Sequence, residues 1–273
     1  MTYCAALKVD SGLVFVSDSR TNAGVDQLST YSKVFTFGVP GERAFAILTA
    51  GNLATTQAVI NQCHKDIRGG VLPNLYSVSG IHEAAEYLGQ VSLSQQRKHL
   101  TTSAGATLDT SASLILGGQI LGHAPEIFLI YPEGNFIAAT NENPYLQIGE
   151  VKYGKPILDR IINRATSLEE AALCALVSMD STMRSNATVG PPIDVVIYSR
   201  DSLRFDRCTT FSGDAPYLIQ LRAAWEQKLK EAFSSLPRFD WINAPSGAVC
   251  EEIQDSKDPG AVINPGPFDP NAG

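Results

Sequence analysis

The sequence is short of histidine, of cysteine and of long apolar runs, and each shortage removes a class of function. Its five cysteines, Cys4, Cys63, Cys174, Cys208 and Cys250, are scattered, odd in number and never form a CxxC pair. That pattern excludes a disulfide framework and a cysteine zinc site, and fits buried thiols in a reducing, cytoplasmic compartment. The four histidines, His64, His82, His99 and His123, show no HExxH or other paired spacing. A histidine-based triad and a metal site therefore lack their parts, and no metal or cofactor is expected. No apolar run approaches the ~18–20 residues of a membrane helix. No charged leader followed by an apolar stretch marks a secretory signal. Basic residues are outnumbered: 21 Lys and Arg against 28 Asp and Glu leave a net charge of -7. A nucleic-acid or anionic-membrane surface needs clustered positive charge, so neither partner is expected.

What is present is enough apolar material for a large core, 44% of 273 residues. Cys4–Val9 and Leu13–Val16 are apolar runs separated by a Ser11-Gly12 turn, a β-hairpin signal. Lys33–Gly38 and Arg43–Ala50 read as two further strands about a Pro40-Gly41 turn. Leu53, Thr56, Val59, Ile60, Cys63 and Ile67 recur at helical spacing until Gly69-Gly70 stops them. A second helix is expected over Ile81–His99. Strands follow at Ser111–Gly117, Glu126–Tyr131 and Asn135–Ala139, then helices at Gly154–Arg164 and Leu168–Met179. Strands at Ile193–Tyr198 and Arg207–Phe211 precede a last amphipathic helix, Pro216–Phe233. Helices come in pairs between sets of hairpin-linked strands, not after every strand. That order disfavours a doubly wound parallel sheet and favours an α+β fold of two antiparallel sheets with helices on their outer faces. Prolines then punctuate a polar stretch, so residues 2–236 read as one domain and Pro237–Gly273 as an irregular arm or tail.

Candidate chemistry begins at the N-terminus. Removal of Met1 would leave Thr2 with a hydroxyl and a free α-amine, a nucleophile and a base on one residue. Such an amine titrates near ~7.7–8.0 and is partly neutral at working pH. The expected hairpin returns the chain to its start at Ser17-Asp18-Ser19-Arg20, which places Asp18 near Thr2. Lys33 opens the next strand. A carboxylate can hold the lysine, and the ammonium can lower the proton affinity of the hydroxyl and the amine. Gly51, after a strand and before a helix, can offer a backbone N–H to an oxyanion.

These residues, Met1-Thr2, Ser17-Asp18-Ser19-Arg20, Lys33 and Ala50-Gly51, resemble the N-terminal half of a proteasome β-type subunit. That family consists of N-terminal-nucleophile (Ntn) hydrolases with a four-layer αββα sandwich. The stretches from Ser19 to Asp26, Ile148 to Arg160 and Ser178 to Thr182 are most similar to Anbu, the bacterial proteasome-related family. The resemblance implies Thr2 as nucleophile, Asp18 and Lys33 as its activating pair, and Gly51 as oxyanion donor. Two stretches depart from the proteasome pattern. Gly149-Glu150-Val151 stands where proteasome subunits carry Gly-Ser-Gly. Residues from Arg184 through Ser185-Asn186 to Gly190 replace the usual Arg-Asp-x-x-Ser-Gly.

The resemblance implies a threonine protease, a hydrolase that cleaves peptide bonds in peptides or unfolded proteins. It also implies self-assembly into a large homo-oligomeric ring or open spiral. Two other readings stand beside it. One is an assembled scaffold or binding shell with a weak or silent site, motivated by the altered residues around Glu150 and Asn186. The other is an amidohydrolase for small amides.

Overall fold

A computed structural model describes residues 1–22, 28–102, 109–205 and 207–240. It divides into two units, Met1–Lys230 and Glu231–Gly273. Among the described residues every strand lies in the first unit. They are β1 (Tyr3–Val9), β2 (Gly12–Asp18), β3 (Arg20–Asn22), β4 (Leu28–Thr30), β5 (Val34–Val39), β6 (Arg43–Gly51), β7 (Ala112–Ile120), β8 (Glu126–Ile130), β9 (Phe136–Ala138), β10 (Tyr145–Gly149), β11 (Ile193–Ser199) and β12 (Arg207–Phe211). The helices are α1 (Leu53–Gly69), α2 (Ile81–Thr102), α3 (Lys155–Ile161), α4 (Leu168–Ser185) and α5 (Pro216–Ser234). One sheet runs β10-β1-β2-β11-β12 and the other β5-β6-β7-β8-β9, while β3 and β4 form a separate ribbon. Every strand pair is antiparallel. The expected αββα sandwich is the observed fold.

Period-two alternation explains the layering. On β1, Tyr3, Ala5, Leu7 and Val9 pack toward α3 and α4, while Cys4 and Ala6 face the opposite sheet. On β6, Phe45 and Ile47 join the cluster with α1 and α2, while Ala44, Ala46, Leu48 and Ala50 lie between the sheets. Both faces of these strands are covered, so they read as continuous apolar runs instead of polar–apolar alternation. Gly117 marks where Phe15 crosses the interface: a Cβ there would sit 2.6 Å from the Phe15 ring.

The helix ends follow local chemistry. Asn52 caps α1 by accepting from the Thr55 N–H, and Gly70 closes it in the left-handed region. Ser167 and Glu170 form a capping box at the start of α4. Three elements depart from expectation. The polar stretch after Asp18 contains the β3–β4 ribbon. Tyr145–Gly149 is an edge strand of β1. Helix α4 continues past Met179 because its polar residues are satisfied: Thr182 Oγ1 donates to Ser178 O at 2.9 Å, and Asp180 pairs with Arg222 at 2.6 Å.

In the second unit, α5 ends at Ser234, and residues 235–240 are exposed without helix or strand. The rest of the expected proline-rich arm, 241–273, lies outside the described residues. His64, His82 and His123 are exposed and His99 is half-buried.

Cys4, Cys63 and Cys174 are buried, and burial pushes each thiol up to about 12. Cys208 is exposed, which corrects the expectation that the thiols are all buried. A thiol titrating near 12 is about one part in ten thousand thiolate at pH 8. In a Cys250→Ser background, a disulfide-exchange reagent should therefore modify Cys208 in the native protein. Cys4, Cys63 and Cys174 should react only after denaturation; rapid native labelling of any of the three would contradict their placement.

Candidate functional site

The site forms where β1 begins and where β2, β6 and β10 end. Strand pairing sets it: Cys4 lies opposite Ser17 and Tyr3 opposite Gly149. The hairpin therefore returns Asp18 to the N-terminus, where its Oδ1 accepts the Tyr3 N–H at 2.9 Å. Lys33, just before β5, reaches in and donates from Nζ to Asp18 Oδ1 at 2.8 Å and to Arg20 O at 2.7 Å. Asp18 Oδ2 accepts the Gly190 N–H at 3.3 Å. Asp18 is fully buried and Lys33 is 6% exposed. Burial is the largest influence on the Asp18 carboxyl and pushes it up; the Lys33 ammonium and the two backbone N–H groups pull the other way.

Gly51 ends β6 with φ +107°, opposite Ala112. A Cβ there would lie 2.3 Å from Ser111 O, so the position requires glycine. Thr2, Lys33 and Gly51 line one cavity of about 290 Å³, together with Arg20, Thr21, Thr49, Thr56 and Gly149 among others. The four sequence-selected residues thus converge, with Asp18 directly behind Lys33.

Other residues complete the surroundings. Gly149, φ +84°, lets β10 close on the start of β1, and the next N–H, from Glu150, donates to Thr2 O at 2.7 Å. The buried Glu150 carboxylate accepts from Asn186 Nδ2 at 3.1 Å and from the Lys152 N–H at 3.3 Å. Asn186 Oδ1 accepts from Thr188 N–H and Oγ1. These are the two stretches where the sequence leaves the proteasome pattern, and the structure brings them together beside the chain start. The α-amine of Met1 is pulled down by burial and by Lys33, while Asp18 and Glu150 oppose the shift. Beneath Thr2, the Tyr3 hydroxyl sits 2.5 Å from Ser178 Oγ and accepts from Gln147 Nε2 at 2.9 Å. The tyrosine role is absent from the sequence reading, because only the β1–β10 register shows where Tyr3 points. Among the described residues no His, Cys, Asp or Glu cluster could hold a metal ion.

An αββα sandwich with a threonine, aspartate and lysine gathered at one strand end defines an Ntn-hydrolase-type, proteasome-related protein. No protein-family model matches the chain, and no curated protein does. Solved structures do. Anbu, described as an ancestral β-subunit, from Yersinia bercovieri is 45% identical, with a TM-score of 0.81 over 88% of this chain and 99% of that one. The helical assembly of the Anbu complex from Pseudomonas aeruginosa is 44% identical, with a TM-score of 0.83 over 88% and 99%. A mutant Anbu from Hyphomicrobium sp. strain MC1 is 43% identical, with a TM-score of 0.82 over 88% and 100%. The chain belongs to the Anbu family.

That membership overturns the expectation of a threonine peptidase. The solved structures it matches are described as an ancestral β-subunit and a helical complex, so the hydrolase and protease readings are withdrawn. Among the described residues the Thr2 hydroxyl makes no hydrogen bond. Two of the three Lys33 protons are already committed.

Proposed function

We propose that the chain is a self-assembling subunit of an Anbu-type shell whose inherited threonine site is built but catalytically silent. The observation that carries this reading is the match, over 88% of this chain and 99% of the other, to a protein whose solved form is a helical assembly. The oligomer is a homo-oligomeric ring or open spiral. Asp18 and Lys33 serve as a buried pair that fixes the β1–β2 hairpin and the entry to β5, and Gly51 serves as the turn that admits α1. A net charge of -7 disfavours nucleic acid as a partner. The three buried thiols suit a reducing cytoplasmic setting. No helix among the described residues is long and apolar enough to cross a membrane.

Light scattering on the full-length protein tests the assembly. The expected mass is many multiples of the 29.3 kDa chain. A particle of 29.3 kDa at micromolar concentration would overturn the proposal.

A further inference from the structure

A hollow of about 310 Å³ lies between α1, α2 and the loop that joins them. Asp66 of α1 lines it and is only 8% exposed. Its carboxylate accepts one hydrogen bond on each oxygen, from Gln62 Nε2 at 2.7 Å and from the Tyr87 hydroxyl at 2.6 Å. Both donors also line the hollow. A carboxylate has about four acceptor sites, so about two remain. Among the described residues no cation forms an ion pair with Asp66. Residues 103–108, which follow α2, carry no charged side chain. Lys98 lines the hollow too, but it is exposed, and water screens its charge there. A buried acid without a counter-ion is uncommon, because burial of an unpaired charge is costly.

A second side chain opens into the same space. Gln95 of α2 is 7% exposed and lines the hollow. Its amide makes no hydrogen bond among the described residues, yet neither polar atom is sealed from solvent. An amide set this deep, unpartnered and still reachable, is a ready partner for a bound polar group. The rim is preformed. Asn74 is buried; its Nδ2 donates to Val71 O at 2.8 Å, and its Oδ1 accepts the Tyr76 N–H at 2.8 Å. Arg43 Nη1 donates to Leu75 O at 3.3 Å and to Val78 O at 2.8 Å. The loop so pinned holds Val71 52% exposed and Leu72 72% exposed at the edge of the hollow, where Pro73 and Val91 extend the aliphatic wall.

We propose that this hollow is a socket for a lysine side chain of a partner polypeptide, with the ammonium on Asp66 and Gln95 and the stem along Pro73 and Val91. An ammonium brings the missing positive charge and three donors, which the spare acceptor sites of Asp66 and the Gln95 carbonyl can take. Its four-carbon stem suits the aliphatic wall. A volume of about 310 Å³ admits a side chain but not a folded segment. Val71 and Leu72 select a polypeptide over a free amine. A small amine leaves them in water, whereas the residues that flank a lysine in a chain cover them. Nothing in the socket depends on chemistry at Thr2.

The test is calorimetric titration of the full-length protein with acetyl-Leu-Lys-Leu-amide, the same peptide with norleucine for lysine, and cadaverine, each to about 10 mM. The lysine peptide is expected to bind at least about tenfold more tightly than the norleucine peptide. Asp66→Asn should weaken the lysine peptide about tenfold and leave the norleucine peptide unchanged, and Gln95→Leu should weaken the lysine peptide about threefold. Leu72→Ser should weaken the lysine peptide about threefold and cadaverine not at all. If Asp66→Asn fails to fold, Gln95→Leu, Leu72→Ser and the lysine-to-norleucine ratio still decide. The socket is overturned if the two peptides bind alike, if neither binds, or if Asp66→Asn and Gln95→Leu both bind the lysine peptide as the wild type does. Cadaverine binding as tightly as the lysine peptide overturns the polypeptide occupant. Light scattering of Asp66→Asn should give the wild-type mass; a smaller particle would put a second copy of this chain in the socket and overturn a separate partner.

Discussion

Replacing Asp18 by alanine is expected to cost about 3–5 kcal/mol, because it strands a buried cation. Lys33 is 6% exposed and its ammonium rests on Asp18 Oδ1 at 2.8 Å. Without the carboxylate, Lys33 keeps only the Arg20 carbonyl, and the N–H groups of Tyr3 and Gly190 lose their acceptor. Domains of ordinary stability have about 5–15 kcal/mol in total, so the loss is a large fraction of the whole. The urea midpoint should fall steeply. The double variant Asp18→Ala with Lys33→Met should recover part of the loss, since an apolar pair of similar volume carries no stranded charge. A single variant within about 1 kcal/mol of wild type would mean that the pair does not pin the hairpin.

The second large effect is expected at Gly149. Its φ is +84°, and a Cβ there would lie 2.0 Å from Thr2 O and 2.7 Å from Thr2 C. Both are backbone atoms, so no side chain can swing aside. Gly149→Ala must move either β10 or the start of β1, breaking the Glu150 N–H to Thr2 O bond of 2.7 Å. We expect a loss of about 3 kcal/mol, combining left-handed strain with the clash. Gly41→Ala is the control. Its φ is +77° but nothing lies within 4 Å of an added Cβ, so only the conformational cost of about 1 kcal/mol applies. Equal midpoints for the two variants would show that the contact with Thr2 carries no weight.

The long strands and helices were legible because their patterns are strong. β1, β2, β6 and α1 declare themselves by continuous apolar runs, tight turns and a glycine stop, and their order implies paired antiparallel sheets. The ribbon Arg20–Asn22 with Leu28–Thr30 was not legible, since three-residue polar strands leave no periodicity to read. Strand β10 was hidden for a related reason: it is short, and Gln147 at its centre looks like loop chemistry until Tyr3 is seen to need it. Asp18, Lys33 and Gly51 were legible as a group because hairpin geometry returns the chain to its start. Arg20 and Thr21 were not legible as cavity residues, because their relation to Gly190 and α1 arises only from tertiary packing. The activity was the misreading. Residue types and spacing describe a site that can be assembled, but not whether it turns over, and the kinship with the Anbu structures is what overturned that reading.

Silence at Thr2 is the central claim, and peptide release tests it most directly. Full-length protein and its Thr2→Ala variant are incubated with a mixed pool of unstructured peptides, and the products are read by mass spectrometry. The account predicts the same background pattern for both proteins, with no Thr2-dependent fragment at any time. New fragments from the wild-type protein that vanish in Thr2→Ala would contradict it.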